Sequence, residues 1–236
     1  MAIKNIKGWY LPDWDKHFED TLIRNNDKGF QYQGLQREYA LSFIKDFKKN
    51  CIDVGSNIGF WSKDMCLKFN HVYAFEPLPD NIECYKKNLK EFTNYTLYDV
   101  AVSNVNNIQM PLYISSKECG NCGNASLNNF GVQTGTTGIE IKLEELKTII
   151  VDVKKIDDYN FKNIGFIKVD CQVHEKEVIE GAIETIKQSK PVLCLELPAR
   201  DDTEKQYRNN LIEYLKKYDY ILKGNKGKEN IFVYEQ

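Results

Sequence analysis

From residue 50 onward, short apolar runs alternate with longer amphipathic stretches along the chain. The apolar runs predict β-strands, whereas apolar residues at three- and four-residue spacing predict helices. This alternation is typical of an α/β fold in which helices cover both faces of a mostly parallel sheet. The predicted strands are 51–54, 72–75, 95–98, 100–103, 109–114, 148–153, 165–169, 191–196, 219–222 and 230–234, and the predicted helices are 59–69, 80–90, 175–188 and 205–217.

The two ends of the chain depart from this alternation. The last two predicted strands are joined by the polar, glycine-containing segment 223–230, which predicts an antiparallel C-terminal hairpin. Residues 35–49 have apolar positions on one face of a helix that leads into the first strand. We therefore expect a domain over residues 35–236, with residues 1–34 as an N-terminal extension packed on it and residues 115–147 as a substrate-side insertion.

A glycine-containing turn follows the first strand. Gly55 and Gly59 stand between that strand and the next helix, and Glu76 ends the second strand, 21 residues after Gly55. Glycines let the backbone approach a ligand, and a strand-end carboxylate accepts hydrogen bonds from both hydroxyls of a ribose. Nucleotide-binding sites separate these features by about 20 residues. The spacing predicts a site for an adenosine-containing cofactor, and the alternative is an ordinary glycine-rich connection.

The residues within the turn favour one class of cofactor. Asn57 stands where a dinucleotide-binding turn needs its second glycine, and the sequence has no Gly-Lys-Ser/Thr phosphate loop. Asp53 contributes a negative charge that would repel a pyrophosphate but suits the amino group or the sulfonium of S-adenosylmethionine. The pattern therefore favours S-adenosylmethionine over NAD or ATP.

A second group of polar residues follows a predicted buried strand. Asp170 emerges at the carboxyl end of this strand, where open α/β sheets bind ligands, and His174 and Glu175 begin the next helix. We expect the three side chains to share one cleft with the glycine turn, and each is a candidate general base. Helix capping is the alternative role for His174 and Glu175. The same groups suit Mg²⁺ or Mn²⁺, but we predict no metal site.

Composition and charge narrow the classes of partner. The chain has 236 residues, and its net charge of −2 argues against a broad nucleic-acid surface. The sequence contains neither a membrane-spanning apolar run nor an apolar signal core, so we expect a cytoplasmic protein without a membrane partner. The seven cysteines are expected to be reduced. Cys119 and Cys122 form a Cys-x-x-Cys pair, which is either a metal or redox site or two free thiols.

Several motifs together resemble the FkbM-type methyltransferases, which use S-adenosylmethionine. The resemblance implies a Rossmann-like, seven-stranded class I methyltransferase sheet and O-methylation, often of sugar or polyketide hydroxyls. It extends over about residues 35–200. The motifs that carry it are Ile52–Gly59, Ala74–Pro77, Val100–Ser103, Asn124–Leu127, Ile156–Asp158, Phe166–Asp170, His174–Glu175, Glu180–Ala182 and Pro191–Glu196.

The resemblance also implies roles for the cofactor residues. The turn residues would shape the methionine end, Glu76 would bind the ribose, and Pro77 would pack against the adenine. Asp99 and Val100 stand where the class reads the adenine amino group, although Asp99 is equally suited to an exposed turn. The residues of the methionine end are Asp53, Gly55, Asn57 and Gly59.

The sequence departs from the family pattern at one place. After the strand aspartate the family usually has Val-Glu-Gly, whereas this chain has Cys171, Gln172 and Val173. Gln172 forms hydrogen bonds but takes no proton at neutral pH. The change either alters the activity or shifts the substrate specificity. In the insertion, Ser126 with Asn124 and Asn128 offers polar groups for a ligand, and a solvated loop is the alternative.

The leading hypothesis is an S-adenosylmethionine-dependent O-methyltransferase that acts on a small, carbohydrate-bearing acceptor. One alternative is a methyltransferase that acts on a macromolecule. Another is a non-catalytic S-adenosylmethionine-binding or scaffold protein, for which Gln172 and Val173 are the reason. A nicotinamide oxidoreductase is a more distant alternative, since its cofactor would need the glycine that Asn57 replaces.

Overall fold

The computed structural model describes residues 2–24, 32–114, 120–129 and 146–235. The strands are β1 (Ile3–Ile6), β2 (Trp9–Pro12), β3 (Asn50–Val54), β4 (His71–Phe75), β5 (Tyr95–Tyr98), β6 (Ala101–Val102), β7 (Ile108–Ile114), β8 (Ala125–Ser126), β9 (Lys147–Lys154), β10 (Ile164–Val169), β11 (Val192–Glu196), β12 (Tyr220–Lys226) and β13 (Glu229–Tyr234). The helices are α1 (His17–Arg24), α2 (Gly34–Leu41), α3 (Phe60–Cys66), α4 (Pro79–Asn88), α5 (Glu175–Glu180), α6 (Ile183–Ser189) and α7 (Asp202–Lys216), and Ile156–Tyr159 form a 3-10 helix.

A seven-stranded sheet organises the molecule. Its order is β12-β13-β11-β10-β3-β4-β5. Adjacent strands from β11 to β5 are parallel, while β13 is antiparallel to both of its neighbours. The predicted α/β class, with a mostly parallel sheet and a C-terminal hairpin, is confirmed.

Both faces of this sheet are buried. Ile52 and Val54 on β3 point to one apolar cluster with Ile167 and Leu193, while Cys51 points to the opposite cluster. Side chains alternate between the two faces of a strand, and helices cover each face, so the strands are mostly apolar. Buried charged residues of this sheet, among them Asp53, Lys168 and Glu196, are described with the site below.

A second, four-stranded sheet has the order β6-β9-β7-β8. The predicted strands 100–103, 109–114 and 148–153 form, but they belong to this sheet and not to the seven-stranded one. Hydrophobic patterning predicts that a strand exists without naming its partner, because pairing depends on contacts distant in sequence. The described part of the predicted insertion contributes β8 and the start of β9.

Two helix predictions are wrong in extent. The helix expected over 35–49 ends at Leu41, and the apolar residues beyond it still pack against the core from a series of turns. The helix expected over 175–188 divides at Gly181. A Cβ atom on Gly181 would lie 2.0 Å from the backbone oxygen of Ser103, so this close approach brings the β6 end of the second sheet against the break.

The N-terminal residues form a hairpin that the sequence pattern did not predict. β1 and β2 pair antiparallel through a turn in which Lys7 and Gly8 both have positive φ, as two-residue hairpins require. The hairpin lies against α4, where the Tyr10 N–H donates to Asn88 Oδ1 at 2.7 Å. Within the described residues, none of the helices has the length and the apolar character needed to cross a membrane.

Candidate active site

A cleft with an empty volume of about 1010 Å³ lies at the carboxyl ends of the central parallel strands. The turns after β3 and β4 and the last residues of β10 and β11 form its base. Of the predicted site residues, it is lined by Gly55, Asn57, Glu76, Pro77, Val100, Asp170 and His174, whereas Asp53, Gly59, Asp99 and Glu175 do not line it.

The two glycines of the turn are required by protein packing. Gly55 has a φ of 72°, and a Cβ atom there would lie 1.9 Å from the backbone oxygen of Asp170. Gly59 has a φ of 96°, and its Cβ atom would lie 2.3 Å from Leu89 Cδ1. Glycine is therefore needed at these positions to let the end of β10 and the chain after α4 come close, and the predicted approach of a ligand to the turn stays a prediction. Gly55 still lines the cleft.

The carboxylate of Glu76 connects the turns after β3 and β4. Its Oε2 accepts the Asn57 N–H at 2.8 Å, and its Oε1 accepts the Leu78 N–H at 3.0 Å and Asn81 Nδ2 at 3.3 Å. The side chain is buried, and burial raises the pKa of Glu76 to about 7, against the lowering effect of these donors. Its position at the edge of the cleft matches the expectation of a ribose-binding carboxylate.

Asp53 lies beneath the cleft and does not face it. Its Oδ2 accepts the Ser62 hydroxyl at 2.6 Å, and its Oδ1 is 3.8 Å from Lys168 Nζ. The carboxyl is fully buried, and burial raises its pKa. The expectation that Asp53 contacts the positive end of a cofactor is therefore not supported by its position; it pairs with a lysine of the neighbouring strand.

Lys168 is a site residue that sequence reasoning missed. It lies on β10 beside Asp53, and its Nζ is 3.4 Å from both Asp170 Oδ2 and the Gly55 backbone oxygen. Burial acts to lower the pKa of Lys168, but the carboxylates of Asp170 and Asp53 raise it above its ordinary value. The signal was visible in the sequence, since a lysine within an apolar run is rarely buried without a partner.

Asp170 is part of a network of polar side chains that also includes Gln172, Glu196 and Lys228. The Gln172 carboxamide Nε2 donates to Asp170 Oδ1 at 2.8 Å and to Glu196 Oε2 at 2.9 Å. Lys228 Nζ lies 3.3 Å from the other oxygen of Glu196. Burial would raise the pKa of Asp170, but Lys168 and the hydrogen bonds from Glu196 and Gln172 lower it to about 2. Burial and the negative charge of Asp170 raise the pKa of Glu196 well above its ordinary value.

His174 and Glu175 hold the chain that follows Asp170. His174 Nε2 is 3.0 Å from Ser103 Oγ, and burial lowers the pKa of the ring, which keeps it neutral. Glu175 is fully buried, accepts the Cys171 N–H at 2.9 Å and accepts the Tyr207 hydroxyl at 3.2 Å. Burial raises the pKa of Glu175 to about 7. The structure thus brings His174 to the cleft but places Glu175 behind the turn.

The segment Cys171–Val173 has an unusual backbone. Gln172 and Val173 have φ values of 52° and 68°, a left-handed region that is costly for a β-branched residue. Ser126 Oγ lies 3.0 Å and 2.8 Å from the carbonyl oxygens of Cys171 and Gln172, and Asn128 Nδ2 donates to the Val173 carbonyl at 3.2 Å. Ser126 and Asn128, two of the three polar residues considered as ligand groups in the insertion, therefore bind this turn.

The part of the cleft next to Glu76 is lined by apolar residues. Pro77, Leu78, Val100, Ala101 and Leu112 form a surface next to Glu76 that suits a flat aromatic base. Asp99 is exposed and lies outside this surface, so its expected contact with an adenine is not supported by its position. This difference arises because the side chain of a strand-end residue can turn to solvent while the next residue points inward.

The N-terminal segment supplies another wall that the sequence did not predict. His17, Phe18, Tyr32 and Gln33 line the cleft. The rings of Phe18 and Tyr32 each lie 5.0–5.2 Å from the ring of Phe60 at the start of α3. A helical pattern begins at His17, but it does not indicate that these residues reach the cleft, because they do so only through tertiary packing.

Two buried polar atoms of the cleft suit an adenosine-containing ligand. Ser56 Oγ and Asn81 Oδ1 line the cleft and have no hydrogen-bond partner among the described residues. Buried polar groups are nearly always hydrogen-bonded in folded proteins, so these atoms mark places where a ligand is expected to bind. Together with Glu76 and the apolar surface, they fit a nucleoside with an amino-acid tail.

No group of three or more His, Cys, Asp or Glu side chains in residues 2–24, 32–114, 120–129 and 146–235 is arranged to hold a metal ion. Cys122 is buried, and burial raises the pKa of its thiol. Cys119 lies outside the described residues, so the Cys-x-x-Cys pair stays a prediction.

Comparison with known proteins identifies a domain family. A model of the methyltransferase FkbM domain matches residues 53–222, which include the glycine turn, Glu76 and Asp170. No protein with a curated description matches the chain.

Solved structures of methyltransferases share the fold. A methyltransferase FkbM from Methylobacillus flagellatus KT has 17% sequence identity and a TM-score of 0.54; the match covers 83% of this chain and 48% of that protein. This chain therefore spans about half the length of that protein. A candidate rRNA methylase from Clostridium thermocellum has 9% identity and a TM-score of 0.51, with 89% and 99% of the two chains covered. At these identities the likeness concerns the fold.

Proposed function

Since the chain belongs to the family of FkbM methyltransferases, whose methyl donor is S-adenosylmethionine, we propose that it methylates a hydroxyl group on a small, sugar-like acceptor. The family match confirms the resemblance that the sequence motifs indicated. We infer the class of acceptor from the polar and aromatic residues that line the cleft together. Asp170, Gln172 and Glu196 line the same cleft as the rings of Tyr32 and Trp61.

The cofactor fits the remaining part of the cleft. Glu76 would bind the ribose hydroxyls, and the apolar surface around Pro77 and Val100 would hold the adenine. Ser56 Oγ and the turn at Asn57 would meet the methionine end. When bound, S-adenosylmethionine supplies a methyl group attached to a positively charged sulfur.

Asp170 is the residue we assign to the acceptor hydroxyl. In the transfer, the hydroxyl oxygen bonds to the methyl carbon while the bond from that carbon to sulfur breaks, and the hydroxyl proton leaves. A carboxylate whose pKa is about 2 is a weak base toward a neutral alcohol. The oxygen gains positive charge as the methyl group bonds, however, and its proton then becomes more acidic than a carboxylic acid. Asp170 can therefore orient the hydroxyl first and accept its proton late in the reaction.

Lys168 and Gln172 keep Asp170 ionised for this role. The ammonium lies on one oxygen of the carboxylate and the carboxamide on the other. Gln172 also donates to Glu196, whose pKa is raised by burial and by the negative charge of Asp170. Two carboxyl groups and a carboxamide side by side offer several hydrogen-bonding groups to an acceptor with neighbouring hydroxyls. This complementarity favours a sugar over a lone alcohol.

For His174 and Glu175 we propose positioning roles in place of the predicted catalytic ones. The ring of His174 is within hydrogen-bonding distance of Ser103, and Glu175 has no surface on the cleft. Both residues fix the chain that carries Gln172. The net charge of −2 further supports a small acceptor, since nucleic-acid binding relies on phosphate neutralisation by basic side chains.

The acceptor class is tested with methyl-labelled S-adenosylmethionine and the full chain. We expect label in saccharides or glycosides from a panel that also contains ribosomal RNA and protein substrates, and none with Asp170→Asn. A methyl ether survives mild alkali whereas a methyl ester does not, so alkaline treatment distinguishes these two products. Label in RNA or protein alone, or transfer to no member of the panel, would contradict the proposal.

A further inference from the structure

The N-terminal segment, residues 2–24, is in contact with the loop that closes one side of the cleft. We infer that this segment is part of the cofactor site and that Asp15 is a positioning residue, which holds the backbone of Cys122 against Asn57 and Asn81. The inference rests on the proposed binding of S-adenosylmethionine next to Glu76.

Asp15 joins two parts of the chain that are far apart in sequence. Its side chain is fully buried. Oδ1 accepts the Phe18 N–H, in the first turn of α1, at 2.8 Å. Oδ2 accepts the Cys122 N–H, also at 2.8 Å. A buried carboxylate is tolerated only when it is well hydrogen-bonded, so both donors are needed.

The carbonyl group of Cys122 continues this link to the ribose-binding residue. Its oxygen accepts Asn81 Nδ2 at 3.0 Å and Asn57 Nδ2 at 3.3 Å. The same two asparagines donate to Glu76, Asn57 through its backbone N–H and Asn81 through its side chain. The peptide groups on either side of Cys122 thus connect Asp15 to the two residues that orient the Glu76 carboxylate.

Backbone contacts fix the same loop along its length. The N–H groups of Lys16 and His17 donate to the Gly120 carbonyl at 2.7 Å and 2.9 Å. A Cβ atom on Gly123 would lie 3.3 Å from both Phe18 Cζ and Asn57 Nδ2, so the loop packs closely against α1 and the glycine turn. His17, Phe18, Cys122 and Gly123 all line the cleft.

The segment lies outside the residues that match the family domain, which begin at residue 53. Part of one wall of the site, and the Asp15 end of the link to Glu76, therefore come from residues that precede the matched range. Loss of the link should weaken cofactor binding by releasing Asn57 and Asn81, without removing any atom that touches the cofactor.

Asp15→Ser separates the contact with α1 from the link to Cys122. Serine can still accept the Phe18 N–H, but its shorter side chain does not reach the Cys122 N–H. Asp15→Asn keeps the shape and places an NH₂ group against one of the two donors. The matched control is Asp13→Asn, because Asp13 is exposed on the same segment. The readouts are calorimetric titration with S-adenosylhomocysteine and the melting temperature of the free protein.

We expect Asp15→Ser and Asp15→Asn to bind S-adenosylhomocysteine about tenfold more weakly, the effect of one lost hydrogen bond to a charged group. Asp13→Asn should bind as the wild type does. A folded Asp15→Ser protein with wild-type affinity would overturn the inference. Failure of the wild type to bind would instead overturn the proposed function, and the inference with it.

Hydrogen exchange on the wild-type chain decides the question even where a variant does not fold. With S-adenosylhomocysteine bound, we expect slower amide exchange at 120–123 and 15–18 as well as at 55–57. Slower exchange at 55–57 alone would show that the segment is not coupled to the cofactor site.

Discussion

Asp170 shows how single residues set the chemistry of the cleft. Its neighbours are one cation, Lys168, and one neutral amide, Gln172, each within 3.4 Å. Together with the hydrogen bond from Glu196 they hold the pKa of Asp170 at about 2 despite burial. The replacement of a glutamate by Gln172, which the sequence comparison marked as a departure, therefore gives Asp170 a hydrogen-bond donor in place of a third carboxylate.

Asp170→Asn should strongly reduce turnover while leaving cofactor binding intact. An asparagine retains the shape but cannot take the hydroxyl proton, so kcat should fall about 10²- to 10⁴-fold, the usual contribution of a general base. Affinity for S-adenosylhomocysteine should change by less than about threefold, because Glu76 and the apolar surface are untouched. Turnover and calorimetry on the same preparations measure both quantities.

Asp152→Asn is the control for this change, since Asp152 is exposed on β9, away from the cleft. It should retain wild-type turnover. Equal turnover by Asp170→Asn and the wild type would remove Asp170 from the reaction and leave the cleft without an assigned base.

At the level of elements, the connection from β10 to α5 is the most strained part of the site. Two consecutive residues, Gln172 and Val173, have positive φ, and Ser126 and Asn128 bind their carbonyl groups from the second sheet. The strain persists because these contacts and the Glu175 carboxylate over-determine the turn. The second sheet therefore helps to place Gln172.

Val173→Gly should stabilise the folded protein. Glycine adopts positive φ without steric cost, so about 1–3 kcal/mol of strain is relieved, against about 0.5–1 kcal/mol for the greater entropy of the unfolded chain. The net gain in the free energy of unfolding should be about 1 kcal/mol, measured by chemical denaturation. Val105 lies in a bend and does not have positive φ, so Val105→Gly should only lower the free energy of unfolding. A destabilised Val173→Gly protein would show that side-chain packing outweighs the strain.

Glu175→Gln should remove part of the dependence of stability on pH. Burial raises the pKa of folded Glu175 from about 4.5 to about 7, so the folded state binds its proton more tightly than the unfolded state. The corresponding stability is present below the unfolded pKa and is lost as the pH rises through 7. Glutamine has no such proton, yet it can accept the Cys171 N–H and donate to Tyr207.

Unfolding of this variant and the wild type at pH 5 and pH 8 checks the sign. The variant should gain about 1–3 kcal/mol relative to the wild type between the two pH values. Glu213→Gln, at an exposed position of α7, should follow the wild type. A difference between variant and wild type that does not change with pH would contradict the buried-carboxylate account of Glu175.

At the scale of the whole molecule, hydrophobic alternation predicted the parallel sheet and its C-terminal hairpin, because strand burial dictates both. It did not predict the second sheet or the N-terminal hairpin. Strand partners and the turn at Lys7 and Gly8 depend on contacts that periodicity does not encode. The apolar residues after Leu41 suggested a helix because they face the core from successive turns.

The sequence predicted those site residues that stand at the carboxyl end of a predicted strand. Glu76 and Asp170 fall in this class, and both reach the cleft. Lys168 and Glu196 were missed, although each is a charged residue in an apolar run and thus a visible signal. The wall formed by His17 and its neighbours has no local signal, since it reaches the cleft through the packing of a distant segment.

Binding of S-adenosylmethionine through Glu76 is the property of this cleft on which its proposed function depends. The most direct measurement is calorimetric titration of the full chain and of Glu76→Ala with S-adenosylmethionine, S-adenosylhomocysteine and NAD. We expect binding of the first two ligands to the wild type, no binding of NAD, and a loss of about tenfold or more in Glu76→Ala, because the ribose hydroxyls lose their acceptor. Absence of binding by either adenosyl ligand to the folded wild type, or equal affinity in Glu76→Ala, would contradict the claim.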